Sequence, residues 1–209
     1  MTYKTPDMVR RQNEAYEEIR KGYEQVLEGL AMLGEDPERG GLKDTPDRCA
    51  KAWLEAWAEG YLDQPGDHLG RRFEDGAEGA DEMIIIRDIP FFSHCEHHLA
   101  PIIGTAHVGY LPGKSVVGLS KINRVVTLYA HRLQVQERMT AQIADALMEH
   151  LECEGAGVMV RARHLCMESR GVRQTGHTTV TSATRGAFRD EPGTRNEFLS
   201  IVQEAQRHV

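Results

Sequence analysis

The sequence predicts an α+β protein. Two observations carry that prediction. The first third shows only helical periodicity, and from Met83 onward β-branched and alternating stretches are mixed with further amphipathic helices. A length of 209 residues fits one large domain, or a domain with an appended helical segment, and suffices to bury a core without disulfide support. We expect a helical extension and loop over residues 1–80 and a mixed domain over 81–209.

Taken in order, Asp7 to Leu33 reads as a helix, because Tyr16, Ile19, Tyr23, Val26, Leu27, Leu30 and Leu33 recur at helical spacing. A loop from Gly34 to Asp44 leads to Thr45-Pro46, an oxygen-bearing cap followed by a proline whose missing N–H costs nothing at a helix start. That helix is expected to reach Trp57, with Trp53 and Trp57 on one side. Tyr61 to Ala80, rich in Gly, Asp and Glu, reads as a surface loop. Met83 to Ile89 is a β-branched run. Thr105 to Leu111 and Lys114 to Gly118 are strand candidates, with Leu111-Pro112-Gly113-Lys114 as the turn between them. Ile122, Val125, Val126 and Tyr129 make Ser120 to His131 an amphipathic helix, and Val135, Met139, Ile143 and Leu147 do the same for Val135 to Leu151. Gly155-Ala156-Gly157 is expected to break that helix. Val158 to Met167 then alternates, with Val158, Val160, Ala162, His164 and Cys166 on one face. Thr178 to Phe188 is a further strand candidate and Thr194 to Gln206 a terminal helix.

The bulk composition excludes several classes of function. A net charge of −7 argues against a general nucleic-acid-binding surface, while leaving room for a local basic pocket. No run approaches the roughly 18 apolar residues of a membrane span. The N-terminus lacks an apolar signal core, so a cytoplasmic address is expected. Four cysteines, Cys49, Cys95, Cys153 and Cys166, are too few for a disulfide-dense scaffold, and those close to histidines read as metal ligands. Cys49 reads as a small core residue, Cys153 as a bystander, and His68, His131, His150 and His208 as surface or packing residues. His107 fits either a core or a site role.

The chemistry concentrates in Ser93-His94-Cys95-Glu96-His97-His98 and His164-Leu165-Cys166. Cys95 and His98 have the spacing of two ligands closing on one zinc from a turn. His164 and Cys166, two apart on the expected strand, point to one face. Cys95, His98 and Cys166 form a Cys₂His set with the fourth position open, as in a catalytic zinc site. His97 and His164 remain as imidazoles suited to proton transfer. The local pattern alone leaves open a closed structural site, with one more histidine as fourth ligand, and a metal-free core.

Cations recur at helical spacing. Arg48 and Lys51 share a face of the Thr45 helix, Lys121 and Arg124 lie at the start of the Ser120 helix, and Arg170 follows the second cysteine. A helix N-terminus with these side chains suits an anion such as a triphosphate. Taken singly, each pair reads first as an ordinary solvated helix face. Neither GxxxxGK[ST] nor GxGxxG is present. Glu137 offers a carboxylate able to accept two hydrogen bonds from the N1–H and 2-amino edge of guanine, or to satisfy its own helix start.

Seven segments together closely resemble the GTP cyclohydrolase I family: residues 33–53, 91–112, 116–126, 132–147, 163–172, 179–188 and 194–199, which include CEHH, GLSKINR, QVQER and HLCMESRG. The resemblance implies a tunnelling fold, an antiparallel sheet with two long helices on one side, as the catalytic domain over 81–209. It implies a homodecamer of two pentameric rings with active sites between subunits. Carried over by position, it implies Cys95, His98 and Cys166 as Zn²⁺ ligands and His97 and His164 as catalytic histidines. It further implies Glu137, with Gln136 beside it, at guanine, Ser120 near the ribose and phosphates, and Arg48, Lys51, Lys121, Arg124 and Arg170 on the triphosphate. The implied reaction opens the imidazole ring of GTP at C8, releases formate and recloses the ring as 7,8-dihydroneopterin triphosphate. His94 and His177 stand where the family usually has other residues, and Ser169 where a larger one is common.

Overall fold

The computed structural model describes residues 5–73 and 82–204, and these divide between Leu62 and Asp63 into two compact units. In the first unit, helix α1 (Pro6–Ala31) begins where the Thr5 side chain accepts from the Met8 N–H, with Pro6 in its first turn. Helix α2 (Thr45–Ala52) continues into one π-helical turn over Trp53–Trp57, closed by Ala58 N–H on the Trp53 carbonyl at 2.8 Å. The expected helix to Trp57 is thus present but widened at its end, and the two indole rings meet edge-on at 5.4 Å. Two long-range bonds tie α1 to this helix: the Tyr16 hydroxyl donates to Asp47, and Trp53 Nε1 donates to the Tyr23 hydroxyl at 2.7 Å.

The second unit is α+β, as expected. It comprises α3 (Pro65–Leu69), β1 (Arg72–Phe73), β2 (Ile84–Cys95), β3 (Pro101–Leu111), β4 (Val116–Val117), α4 (Leu119–Ala130) and β5 (Leu133–Gln134). Then follow α5 (Gln136–Leu151), β6 (Gly155–His164), α6 (Leu165–Glu168), β7 (Thr179–Gly186), α7 (Ala187–Asp190) and α8 (Pro192–Glu204). The main sheet has the order β5-β2-β3-β6-β7, antiparallel except for the short parallel pairing of β5 with β2. α4 packs over β2 and α5 over β6 and β7. Of their predicted apolar stripes, Ile122, Val125, Val126 and Tyr129 on α4 and Met139, Ile143 and Leu147 on α5 are buried with Ala106, Val108, Val158, Val160 and Ala162 of the sheet, whereas Val135 is the half-buried N-cap of α5. Each such large aliphatic side chain contributes about 1.5–3 kcal/mol on burial. The opposite face carries a smaller cluster of Met159, Phe188, Phe198 and Val202.

Three local expectations change. The turn after Leu111 does not make a hairpin: β4 is only two residues long and pairs with β1, through Arg72 opposite Val117 and Phe73 opposite Val116. The segment expected as loop therefore holds α3 and β1, while residues 74–80 lie outside those described. Gly155-Ala156-Gly157 is strand, not a break. A Cβ on Gly157 would lie 2.5 Å from the Phe188 ring, so glycine here admits the aromatic pair of the smaller cluster. The terminal helix is present to Glu204, with the last two expected residues outside those described. No helix among the described residues is long and apolar enough to cross a membrane.

Candidate metal centre and its surroundings

Strand register brings the two cysteine segments together. In the antiparallel β2–β3 ladder His94 faces Pro101, and in the β3–β6 ladder Ile102 faces His164. The turn leaving β2 and the turn leaving β6 therefore lie at one end of the sheet, flanking the start of β3. β5 joins the same end, with Gln134 opposite Cys95, so α5 begins there as well.

Cys95, His98 and Cys166 each place a ligand atom within 4.8 Å of the others. Cys95 Sγ lies 3.9 Å from His98 Nδ1. Tetrahedral zinc with ordinary bond lengths sets such ligand atoms about 3.6–3.8 Å apart, so this pair needs little contraction to close on a metal ion. Cys166 arrives differently from the expectation: β6 ends at His164, and the cysteine stands in the helical turn α6. A turn of helix, not strand alternation, swings it toward Cys95. Burial and the neighbouring Cys95 raise the Cys166 thiol pKa, and bound metal reverses that by favouring thiolate. Arg170 Nη1 lies 2.6 Å from His98 Nε2.

The turn itself is braced. Cys95 accepts from Leu99 N–H at 2.8 Å and donates its own N–H to Ala100 at 2.9 Å, with Leu99 held at φ 53°. Glu96 points away from the cluster to Arg138, whose guanidinium also donates to the Leu133 carbonyl at 3.1 Å and to Gln134 Oε1 at 3.2 Å. The Arg138 bond holds the Glu96 carboxyl below the usual range. Arg138 was not among the residues expected at the site. It directly follows Glu137, but nothing in sequence spacing pairs it with a residue 42 positions earlier.

His164 is half-buried at the end of β6, two residues before Cys166. Burial lowers its pKa, opposed by the Glu137 carboxylate and assisted by His177. Its Nε2 lies 2.7 Å from Gln136 Oε1. His97 is exposed, with Nδ1 3.7 Å from Cys95 Sγ. Glu137 is exposed in the first turn of α5, whereas Gln136 beside it is 1% exposed. Ser120, Lys121 and Arg124 lie in the first turns of α4, whose N-cap Gly118 supplies no side-chain cap. Arg48 and Lys51 are exposed on α2 in the first unit, Arg48 paired with Asp44 at 3.1 Å. Of the other histidines, His107 and His94 are buried. Cys153 is buried too, its thiol pushed up to about 11 and donating to the Leu147 carbonyl.

Residues 19–203 match the sequence profile of GTP cyclohydrolase I. The chain belongs to the GTP cyclohydrolase I family. The GTP cyclohydrolase 1 of Janthinobacterium sp. (strain Marseille) is 54% identical over 84% of this chain and 87% of its own length. That of Sinorhizobium fredii (strain NBRC 101917 / NGR234) is 50% identical over 92% of this chain and 89% of its own. A crystal structure of the archaeosine synthase QueF-Like in the apo form aligns with a TM-score of 0.42 at 14% identity, over 50% of this chain and 93% of that one. Within the GTP cyclohydrolase I family, then, this member has the α+β sheet-and-helix architecture described above and a Cys-His-Cys group able to hold a metal ion.

Proposed function

We propose that this chain converts GTP and one net water to 7,8-dihydroneopterin triphosphate and formate, the first step of pterin and folate biosynthesis. The observation that carries this reading is the Cys95, His98 and Cys166 group, gathered within 4.8 Å, with the half-buried His164 two residues before Cys166, in a chain half identical to proteins named GTP cyclohydrolase 1. Two thiolates and an imidazole are a donor set of catalytic zinc. Zinc held there supplies Lewis-acid polarisation and activation of water.

The protein's own groups supply the remainder. Glu137, exposed beside His164, accepts from N1–H and the 2-amino group of guanine and so orients C8 toward the cluster. His164 moves the proton at N7 as the C8–N bond opens, and its lowered pKa keeps the ring able to take that proton back near neutrality. His97, exposed on the adjoining turn, exchanges protons near the ribose during rearrangement. Ser120, Lys121, Arg124 and Arg170, with Arg48 and Lys51, hold the ribose and triphosphate; the uncapped start of α4 favours that anion. Their contribution is position and orientation. The catalytic domain is residues 81–209, which the extension 1–80 precedes in sequence; α3 and β1 of that extension belong to the second compact unit. We assign the working form to a homodecamer of two pentameric rings with sites between subunits, the assembly the family resemblance implies; β7 and most of β2, sheet edges among the described residues, are suited to join its subunits.

Product analysis tests the reaction. Zinc-loaded protein given GTP should release formate and a product that is a fluorescent pterin after oxidation and dephosphorylation. A chelator should stop both, and zinc should restore both. Folded, zinc-loaded protein that yields neither formate nor pterin overturns the reading.

A further inference from the structure

Gln136 opens α5 with its side chain buried, and the direction of each hydrogen bond around its amide follows from its partners. Nε2 lies 3.1 Å from the Val160 carbonyl, the Thr179 carbonyl and Thr181 Oγ1. Carbonyl oxygens only accept, so this end of the amide is the NH₂ group and a flipped assignment is excluded. Thr140 spends its one hydrogen on the Gln136 carbonyl at 2.6 Å. In the 2.7 Å contact between Thr140 and Thr181 the donor is then Thr181, whose oxygen remains to accept from Gln136 Nε2. All hydrogens run one way through the cluster. Gln136 Oε1 is left as an acceptor, and what it faces at 2.7 Å is His164 Nε2. That nitrogen must therefore carry a hydrogen. A neutral imidazole has only one, so the lone pair sits on Nδ1.

Given the reaction proposed above, we propose that Gln136 is a positioning residue, which fixes the tautomer and ring orientation of His164, and that it does not read the substrate. His164 ends β6 where the backbone leaves the ladder, so the strand alone does not hold its ring. The amide supplies the missing restraint from a different element, α5. It is itself clamped to β6 and β7 by carbonyls that cannot accommodate a flip. Both amide hydrogens are engaged inside the fold and the residue is 1% exposed, so the guanine edge is left to Glu137, its exposed neighbour. In a buried polar cluster of this kind a reversed ring or amide leaves donors facing donors, which is costly.

The test compares Gln136→Met with Thr181→Val in the zinc-loaded enzyme. Gln136→Met removes the oxygen from His164; Thr181→Val takes a hydroxyl from the same cluster and leaves that oxygen in place. A mispositioned proton-transfer group costs about 100-fold, so Gln136→Met should lower kcat by about that factor. Its GTP dissociation constant, measured in a His164→Ala background where turnover is absent, should stay within about twofold of the parent. Thr181→Val should lose thermal stability yet keep kcat within about threefold. GTP binding weakened more than about tenfold by Gln136→Met in that background would make Gln136 a substrate contact and overturn the proposal. So would full kcat in folded Gln136→Met, or equal kcat losses in the two variants. Should Gln136→Met not fold, Gln136→Asn decides: it keeps an amide at the position but draws the oxygen back from His164 by one methylene. Lowered kcat with GTP affinity retained in the His164→Ala background supports the proposal, whereas full kcat, or affinity lost by more than about tenfold, overturns it. A wild type that folds, binds zinc and turns over no GTP removes the functional reading itself, an outcome distinct from all of these.

Discussion

His107 shows how much one buried side chain can govern. It sits on β3, 1% exposed, where β2 slips register between Ile86 and Ile89. Asp88, at φ 56°, turns its N–H onto His107 Nδ1 at 3.2 Å, so that nitrogen carries no proton. Burial lowers the His107 pKa. The Asp88 carboxylate opposes the shift, and the cations of Arg87 and Arg161 add to it. The unfolded chain takes up a proton near pH 6.5, before the native state does. Stability from this residue is thus complete above that pH and falls as the solution is acidified below it, with a slope of at most about 1.4 kcal/mol per pH unit. Urea midpoints from pH 7.5 to 5.5 should fall more steeply for the wild type than for His107→Asn, which keeps a short acceptor but cannot titrate; parallel curves would remove His107 from the acid response. In the sequence His107 alternates with strand residues and fits two roles, because the bulge that gives it a partner arises from a register slip in another strand. Cys95 and His98 were legible because both ligands lie in one turn. For Cys166 the identity was legible and the geometry was not, since the strand ends two residues before it.

At the scale of elements, the metal turn is held less by its own sequence than by α5. Arg138 collects Glu96, the Leu133 carbonyl and Gln134, and Glu96 N–H closes on the Gln134 carbonyl at 3.1 Å. The turn presenting His97 and His98 is thereby pinned to β5 and to the first turn of α5. The Glu96–Arg138 pair is part-exposed, so its effect on global stability is small. Its effect on the turn is local and geometric. Arg138→Met should lower zinc affinity about tenfold, read by competition with a chromophoric chelator, with the thermal midpoint little changed. Unaltered zinc affinity would show that the turn holds its shape without the brace. The periodic helices α4 and α5 were legible because their apolar stripes answer to a core on one side; α1 was legible from its spacing alone, since none of its residues is buried. The pairing of β4 with β1 was not, because two residues carry no period and Arg72 and Val117 lie 45 positions apart.

For the whole molecule, the sheet order leaves an open question of edges. Among the described residues, β7 pairs with β6 on one side, and β2 is covered by β5 only at His94 and Cys95. Both edges thus present backbone N–H and C=O groups along most of their length, and proteins rarely leave long edges bare. Exposed apolar side chains accompany them, Phe92 at 60% on β2 and Val180 at 53% on β7. Edge-to-edge joining of like chains satisfies both rows at once and, because the two edges differ, repeats head to tail until a ring closes. A ring of five, doubled face to face, is the assembly proposed above. Light scattering should therefore give ten times the chain mass of 23.5 kDa. Hydrogen exchange resolved to single residues supplies the sharper test: in the assembled protein every amide of β7 should be protected, including those aimed away from β6. A monomeric mass, or alternate β7 amides exchanging freely within a stable core, would mean that the edge faces water and that the ring is joined elsewhere.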